Sequence, residues 1–213
     1  AQLKAWAAAP APPRALILDL RNNPGGLLRS AIDVAQQFLR PGQIVVSTQG
    51  REASARQVYV ARNPTRPVTW PMAVLVNGGS ASASEIVAGA LKDHRRAVLV
   101  GEKTFGKGSV QTIVPMEEGT ALRLTTARYQ TPNRVTIHGY GIEPDILVPL
   151  APEVWQAILR QRNAPEEPAE ETASPTAPGD AVAAPADLQL ERAISVLKGL
   201  MLFQAAQERT PRG

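Results

Sequence analysis

Apolar and polar positions change period along this chain, and the changes mark its elements. Ala15 to Leu20 is an almost unbroken apolar run, which predicts a strand covered on both faces. Arg21-Asn22-Asn23-Pro24-Gly25-Gly26 follows, and Pro with two Gly in succession predicts a loop. Leu28, Ile32, Ala35 and Leu39 then recur at helical spacing until Pro41-Gly42 stops them. Ile44–Val46 and Val58–Val60 predict two more strands. A strand over 72–77, a helix over 83–93 and a strand over 97–100 compose a βαβ unit. Its helix predicts parallel pairing and a right-handed crossover. Residues 110–116 and 120–129 predict a hairpin around Glu117-Glu118-Gly119.

The ends of the chain read differently. Residues 2–9 predict the end of a helix closed by Pro10, and Glu153 to Gln161 a helix with Pro152 at its start. Residues 163–185 are rich in Pro, Ala, Glu and Thr and predict a disordered linker. Leu188 to Leu202 regains helical periodicity. The expected organisation is an α/β core over 1–150, a helical extension over 151–162, the linker over 163–185 and a C-terminal helix over 186–213.

With 213 residues, 44% of them hydrophobic, the chain can bury a core. Its net charge is +4, but the basic residues are scattered among acidic ones, so no nucleic-acid surface is predicted. There is no cysteine, which removes disulfides, thiol nucleophiles and Cys-ligated zinc. His94 and His138 are the two histidines, and without an H-E-x-x-H pair they argue against a metal hydrolase. No metal or cofactor is expected. No apolar run approaches the roughly 18 residues of a membrane helix. No signal-peptide pattern is visible, so for an exported protein the sequence predicts an address already removed.

Chemistry concentrates in two glycine-rich loops. Ser82 lies in Asn77-Gly78-Gly79-Ser80-Ala81-Ser82-Ala83-Ser84-Glu85, where an apolar run breaks and a helix begins. Lys107 lies in Thr104-Phe105-Gly106-Lys107-Gly108. A serine hydroxyl needs a base and an oxyanion stabiliser before it can act as a nucleophile. Ala83 would offer a free first-turn N–H, and the Gly25-Gly26 loop a second. Lys107 is the candidate base. A base must be neutral, so this assignment expects Lys107 in an apolar pocket, with Phe105 and the nearby apolar runs lining it. Gln111 is placed to orient that lysine.

Each residue also has a plainer reading. Ser82-Ala83-Ser84-Glu85 fits a helix-capping box, which by local pattern alone comes first. Lys107 alone is a solvated turn lysine, and Asp93 and His94 are exposed polar residues near a helix end. Gly101 to Lys107 matches the start of a phosphate-binding P-loop. However, Gly108 stands where Ser or Thr should hold Mg²⁺, and a strand follows instead of a helix.

Four segments in order carry a resemblance that local physics does not supply. Leu16 to Gly26, Gly79 to Ile86, Thr104 to Gly108 and Tyr140-Gly141-Ile142-Glu143-Pro144-Asp145 resemble the signatures of carboxyl-terminal processing peptidases, the tail-specific proteases. Asp187 to Ala193 is similar to the family's C-terminal helix. The resemblance spans about residues 14 to 150. It implies a mixed α/β sheet with flanking helices, a ClpP/crotonase-like core, and a C-terminal helical tail. It implies Ser82 as nucleophile rather than Ser80 or Ser84, Lys107 as general base and Gln111 as its orienting partner. Ala83 and Gly25 or Gly26 would form the oxyanion hole, with Glu85 and Asp93 in support. It further implies protein substrates with apolar C-termini and work in the periplasm, cell envelope or thylakoid lumen. A PDZ domain is expected upstream in the same polypeptide, and the terminal helices are candidate surfaces for a homo-oligomer. Against this stands a non-catalytic module that binds a hydrophobic ligand or peptide on the same fold; such a module need not keep nucleophile, base and orienting amide together.

Overall fold

A computed structural model of the chain describes residues 2–62, 67–163 and 186–209. The expected linker, apart from Asn163, lies outside the described residues, as do residues 210–213. Helix α1 (Gln2–Ala7) leads to β1 (Leu16–Asp19), α2 (Leu28–Ala35), β2 (Ile44–Gly50) and β3 (Gln57–Val60). Then come β4 (Met72–Val76), α3 (Ala83–Asp93), β5 (Val98–Gly101) and the hairpin of β6 (Ser109–Pro115) and β7 (Ala121–Gln130). The chain continues through β8 (Ile146–Leu147), α4 (Pro152–Asn163) and α5 (Leu188–Arg209). The expected helix after Leu28 ends at Ala35, but turns carry Phe38 and Leu39 into the core.

Parallel and antiparallel strands segregate into two sheets. The first runs β1-β4-β5-β8 and is parallel throughout, with Ala73 opposite Val98 and Val76 opposite Gly101 in the expected βαβ unit. The second runs β3-β2-β7-β6 and is antiparallel. Strand alternation divides β4 between two cores. Met72, Val74 and Val76 pack with α2, α3 and β2, around Ala35, Ile86, Leu91, Val45 and Val46. Ala73 and Leu75 pack on the other face with Val100 and with Ala193 and Leu197 of α5. A fully buried side chain of this size stabilises the fold by about 1.5–3 kcal/mol, so the C-terminal helix is integral to the parallel sheet. β1, expected to be covered on both faces, is instead the half-buried edge strand, and the fully buried strand is β4.

The outer part of the β6–β7 hairpin projects into solvent. Ile113, Val114, Met116, Leu122 and Leu124 are all exposed there. Among the described residues, no helix is long and apolar enough to cross a membrane.

Candidate active site

The loops that leave β1, β4 and β5 meet at the carboxyl ends of these parallel strands, where open α/β sheets form their binding crevices. A polar lattice joins the first two loops. Asn77 Oδ1 accepts the Asn22 N–H at 2.8 Å, and Asn77 Nδ2 donates to Asn22 Oδ1 at 3.0 Å. Asn22 adopts φ 53, a left-handed conformation that asparagine tolerates. The buried Ser80 hydroxyl donates to the Leu20 carbonyl at 2.7 Å, and the buried Ser84 hydroxyl to the Asn23 carbonyl at 3.0 Å. The Ala81 N–H also donates to that Asn23 carbonyl. These two serines are therefore struts between the loops.

Ser82 stands between them in a different state. It is half-buried and its hydroxyl proton is donated to none of the described residues. It caps α3 with φ 57 and ψ −115, a conformation that costs a non-glycine residue of order 1–3 kcal/mol and persists only where its surroundings enforce it. The enforcing group is Glu85, which completes the expected capping interaction by accepting the Ser82 N–H at 2.8 Å.

Glu85 does more than cap the helix. Its side chain is fully buried and its two oxygens accept four hydrogen bonds. Oε1 takes the Thr104 hydroxyl at 2.5 Å and the Gly106 N–H at 2.7 Å. Oε2 takes the Ser82 N–H and the Lys107 N–H, each at 2.8 Å. Four donors match the roughly four acceptor positions of an ionised carboxylate. Because one oxygen holds both, the backbone nitrogens of Ser82 and Lys107 lie no farther apart than twice 2.8 Å. Thr104, given no separate role by the sequence, completes the lattice by accepting the Ile142 N–H at 2.7 Å. The Tyr140–Asp145 segment thereby braces the lysine loop: Gly106 accepts from the Gly139 N–H, and a Cβ on Gly106 would lie 3.0 Å from the Gly141 nitrogen.

The lysine side departs from expectation. Lys107 is exposed, and Phe105, expected to line an apolar pocket around it, is 69% exposed. The cause is alternation along a pinned backbone. Thr104, Gly106 and Gly108 turn inward to Glu85 and the 137–141 segment, so Phe105 and Lys107 must project outward. Gln111, on β6 beside a register shift at Val110/Gln111, is exposed too and makes no side-chain hydrogen bond with the described residues. The surroundings of Ser82 are closed, while those of Lys107 are open.

The oxyanion candidates also separate. Gly25, at φ +93, is pressed against the nucleophile turn, where a Cβ would sit 2.6 Å from the Ala81 carbonyl oxygen and 2.7 Å from the Ala83 nitrogen. Its own N–H donates to Asn23 Oδ1 at 2.9 Å. The N–H groups of Gly26 and Ala83 make no hydrogen bond with the described residues, leaving them available to a ligand. Asp93 is elsewhere: it closes the opposite end of α3, an 11-residue helix about 16 Å long, and accepts the Asn133 N–H at 2.8 Å. His94 is held nearby, with its ring nitrogens on Gln43 and the Ile44 carbonyl. Among the described residues no cluster of His, Asp or Glu is arranged to hold a metal.

A charged cluster lies just before the Asn22–Gly26 loop. The Arg21 side chain is fully buried and pairs with Asp19 and Asp187, each at 2.8 Å, while stacking 4.8 Å from the centre of the Trp155 ring. Burial alone would raise both carboxyl groups, but hydrogen bonds and charge from Arg21 outweigh it and hold both below the usual aspartate value. The same partners outweigh desolvation at Arg21 and raise its pKa. An isolated arginine in a sequence gives no signal of such a partner 166 positions away.

This chain belongs to peptidase family S41, whose model matches residues 3–148. It is 58% identical over 132 residues to a carboxy-terminal-processing protease of Bartonella bacilliformis, covering 62% of this chain and 30% of that protein. It is 45% identical over 144 residues to the chloroplastic C-terminal processing peptidase of Tetradesmus obliquus, covering 68% of this chain and 30% of the relative. Among solved structures, a photosystem II D1 C-terminal processing protease superposes with TM-score 0.60 at 41% identity, over 64% of this chain and 35% of the other. A peptidase from Parabacteroides merdae shares the fold at TM-score 0.59 and 20% identity, over 86% of this chain and 52% of the other. The chain thus spans about 30% of the length of these curated relatives.

Proposed function

We propose that this chain carries the catalytic core of a serine endopeptidase that cleaves proteins near an apolar C-terminus. Ser82 Oγ attacks the scissile carbonyl carbon, and Lys107 in its neutral form takes the hydroxyl proton. The developing oxyanion is met by the N–H groups of Ala83 and Gly26. Lys107 returns the proton to the leaving amine, and water, activated by the same lysine, releases the acyl group from Ser82. Gln111, first on the strand after the lysine loop to carry an amide, orients the amine. The observation that carries this assignment is Glu85 Oε2, which holds the Ser82 and Lys107 backbones on one atom. The committed hydroxyls of Ser80 and Ser84 support Ser82 as the nucleophile.

The exposure of Lys107 gives the proposal its second half. A solvated ammonium is a poor base, so the lysine must be covered when it acts. We assign that cover to the bound substrate together with further domains of the full-length protein, a PDZ domain among them. Work in the periplasm, cell envelope or thylakoid lumen, and self-association through terminal helices, belong to the same proposal.

The test is mass spectrometry of a protein with an apolar C-terminus after incubation with the full-length enzyme. The expected result is shortened products with the wild type and none with Ser82→Ala or Lys107→Ala. Products in either variant would remove the dyad. No product with the wild type, but saturable binding of the apolar tail, would favour the binding module.

A further inference from the structure

We infer that Asp187 and Gln189, at the start of the C-terminal helix, position the oxyanion loop through Arg21. The inference rests on the proposed role of the Gly26 N–H and extends it to the tail of the chain. Arg21 lies at the start of the loop, two residues past the end of β1, and only Asn22, Asn23 and Pro24 separate it from Gly25. Its guanidinium makes five side-chain hydrogen bonds, and they come from two directions. Asp19 Oδ1 and Oδ2, at the end of β1, accept from Nε at 3.0 Å and Nη2 at 2.8 Å. Asp187 Oδ1 and Oδ2 accept from Nη1 and Nη2, each at 2.8 Å, and Gln189 Oε1 from Nη1 at 3.2 Å.

The arrangement is a fork held on both sides. Asp187 and Asp19 each receive a two-point bond from the planar guanidinium, which fixes its orientation as well as its place. Trp155 of α4 covers its face. Gln189, fully buried, donates its amide to the Val148 carbonyl at 2.8 Å, so the tail is tied to the end of β8 as well. Arg162 of α4 adds a second cation to Asp19 at 2.8 Å. The Asn22 and Asn23 hydrogen bonds fix the loop against the serine turn, whereas the Arg21 fork fixes where the loop leaves the sheet. Gly25 approaches Ala81 and Ala83 so closely that a Cβ would collide with both, which leaves the loop no slack against the serine turn. Asp187 and Gln189 are positioning residues, and catalytic geometry depends on the tail being docked.

Asp187→Asn in the full-length enzyme is the discriminating variant. Asp187 also starts α5 by accepting the Leu190 N–H at 3.1 Å, and asparagine retains that capping while losing the charge paired with Arg21. The expected result is a fall of about tenfold in kcat on an apolar-tailed peptide, with KM within about twofold of wild type. Hydrogen exchange at residues 22–26 should rise, while residues 72–76 keep their protection. Unchanged kcat with unchanged exchange at 22–26 would overturn the inference. So would exchange rising throughout the core, which would make Asp187 a general stabiliser. Ser82→Ala is measured beside it. If that variant keeps wild-type turnover, the active-site assignment falls, while the exchange measurement still decides whether the tail holds the loop.

Discussion

The two halves of the proposed dyad are built in opposite ways. Around Ser82 the polar side chains are committed: Ser80 and Ser84 to carbonyls, Asn77 to Asn22, and Glu85 to four donors. Around Lys107 the backbone is equally fixed, but the side chain stands in solvent with Phe105 and Gln111. Ser82 is thus held in a strained conformation by a closed lattice, and the proposed base is left to be completed. A rigid loop therefore does not imply a preformed pocket. Substitutions on the serine side should lower stability and activity together, whereas those on the lysine side should lower activity alone.

Glu85→Gln tests the closed half most severely. The amide replaces one acceptor oxygen with a donor, which then faces two N–H or O–H donors in a fully buried site. Unsatisfied buried donors cost about 1–3 kcal/mol each, so a loss of about 4 kcal/mol is expected. For a chain of this size that lowers Tm by roughly 10 °C in calorimetry. Turnover should vanish as Ser82 and Lys107 lose their common anchor. Wild-type Tm in the Glu85→Gln variant would show that the lattice is dispensable.

Gly25→Ala is expected to cost less, about 2 kcal/mol in denaturant unfolding, since it adds left-handed strain and one methyl group in contact with Ala81 and Ala83. The loop yields by moving away from Ser82, so kcat should fall about 100-fold, as when an oxyanion donor is lost. A loss confined to KM, with none in kcat, would place the loop outside the chemistry.

Acid should act through the Arg21 cluster. Asp19 and Asp187 titrate below their ordinary value of 3.8 because Arg21 outweighs the cost of burying them. Carboxyls with depressed native pKa values stabilise the fold above their unfolded values, and that stability is lost as pH falls through the native ones. Tm should therefore be flat above about pH 5 and fall below about pH 4. The fall should be shallower in Asp187→Asn. A profile identical in the variant would mean that the Asp187–Arg21 pair adds nothing to stability.

The same contrast explains what the sequence made legible. Residue patterns located the βαβ unit, because a five-residue apolar strand, a capped helix and a second apolar strand are local signals. The segregation into two sheets was not readable, because strand partners are chosen by long-range packing. Ser82 and Lys107 stood out on their glycine loops. Glu85 was visible as a cap, but its bonds to Thr104, Gly106 and Lys107 span 19 to 22 positions and leave no periodic trace. The outward turn of Lys107 leaves no trace in the sequence, because apolar neighbours do not predict which way an alternating loop turns them. Asp93 was drawn toward the site by a family pattern, yet the helix places it at the far end.

Lys107→Ala and Gln111→Ala carry the smallest expected change in stability and the sharpest test of the comparison. Both side chains are exposed and make no hydrogen bond with the described residues, and such substitutions usually shift stability by less than about 0.5 kcal/mol. Lys107→Ala should nevertheless abolish turnover in the full-length enzyme, because the proposed mechanism gives the Ser82 proton to that amine. Gln111→Ala should retain a fraction of it, since an orienting amide improves the lysine's aim without replacing it. If the lysine is covered only when substrate binds, the Gln111→Ala defect should sit in kcat, with KM near wild type. A Tm drop of several degrees in either variant would mean that the full-length protein already buries this side, and the open half of the comparison would close.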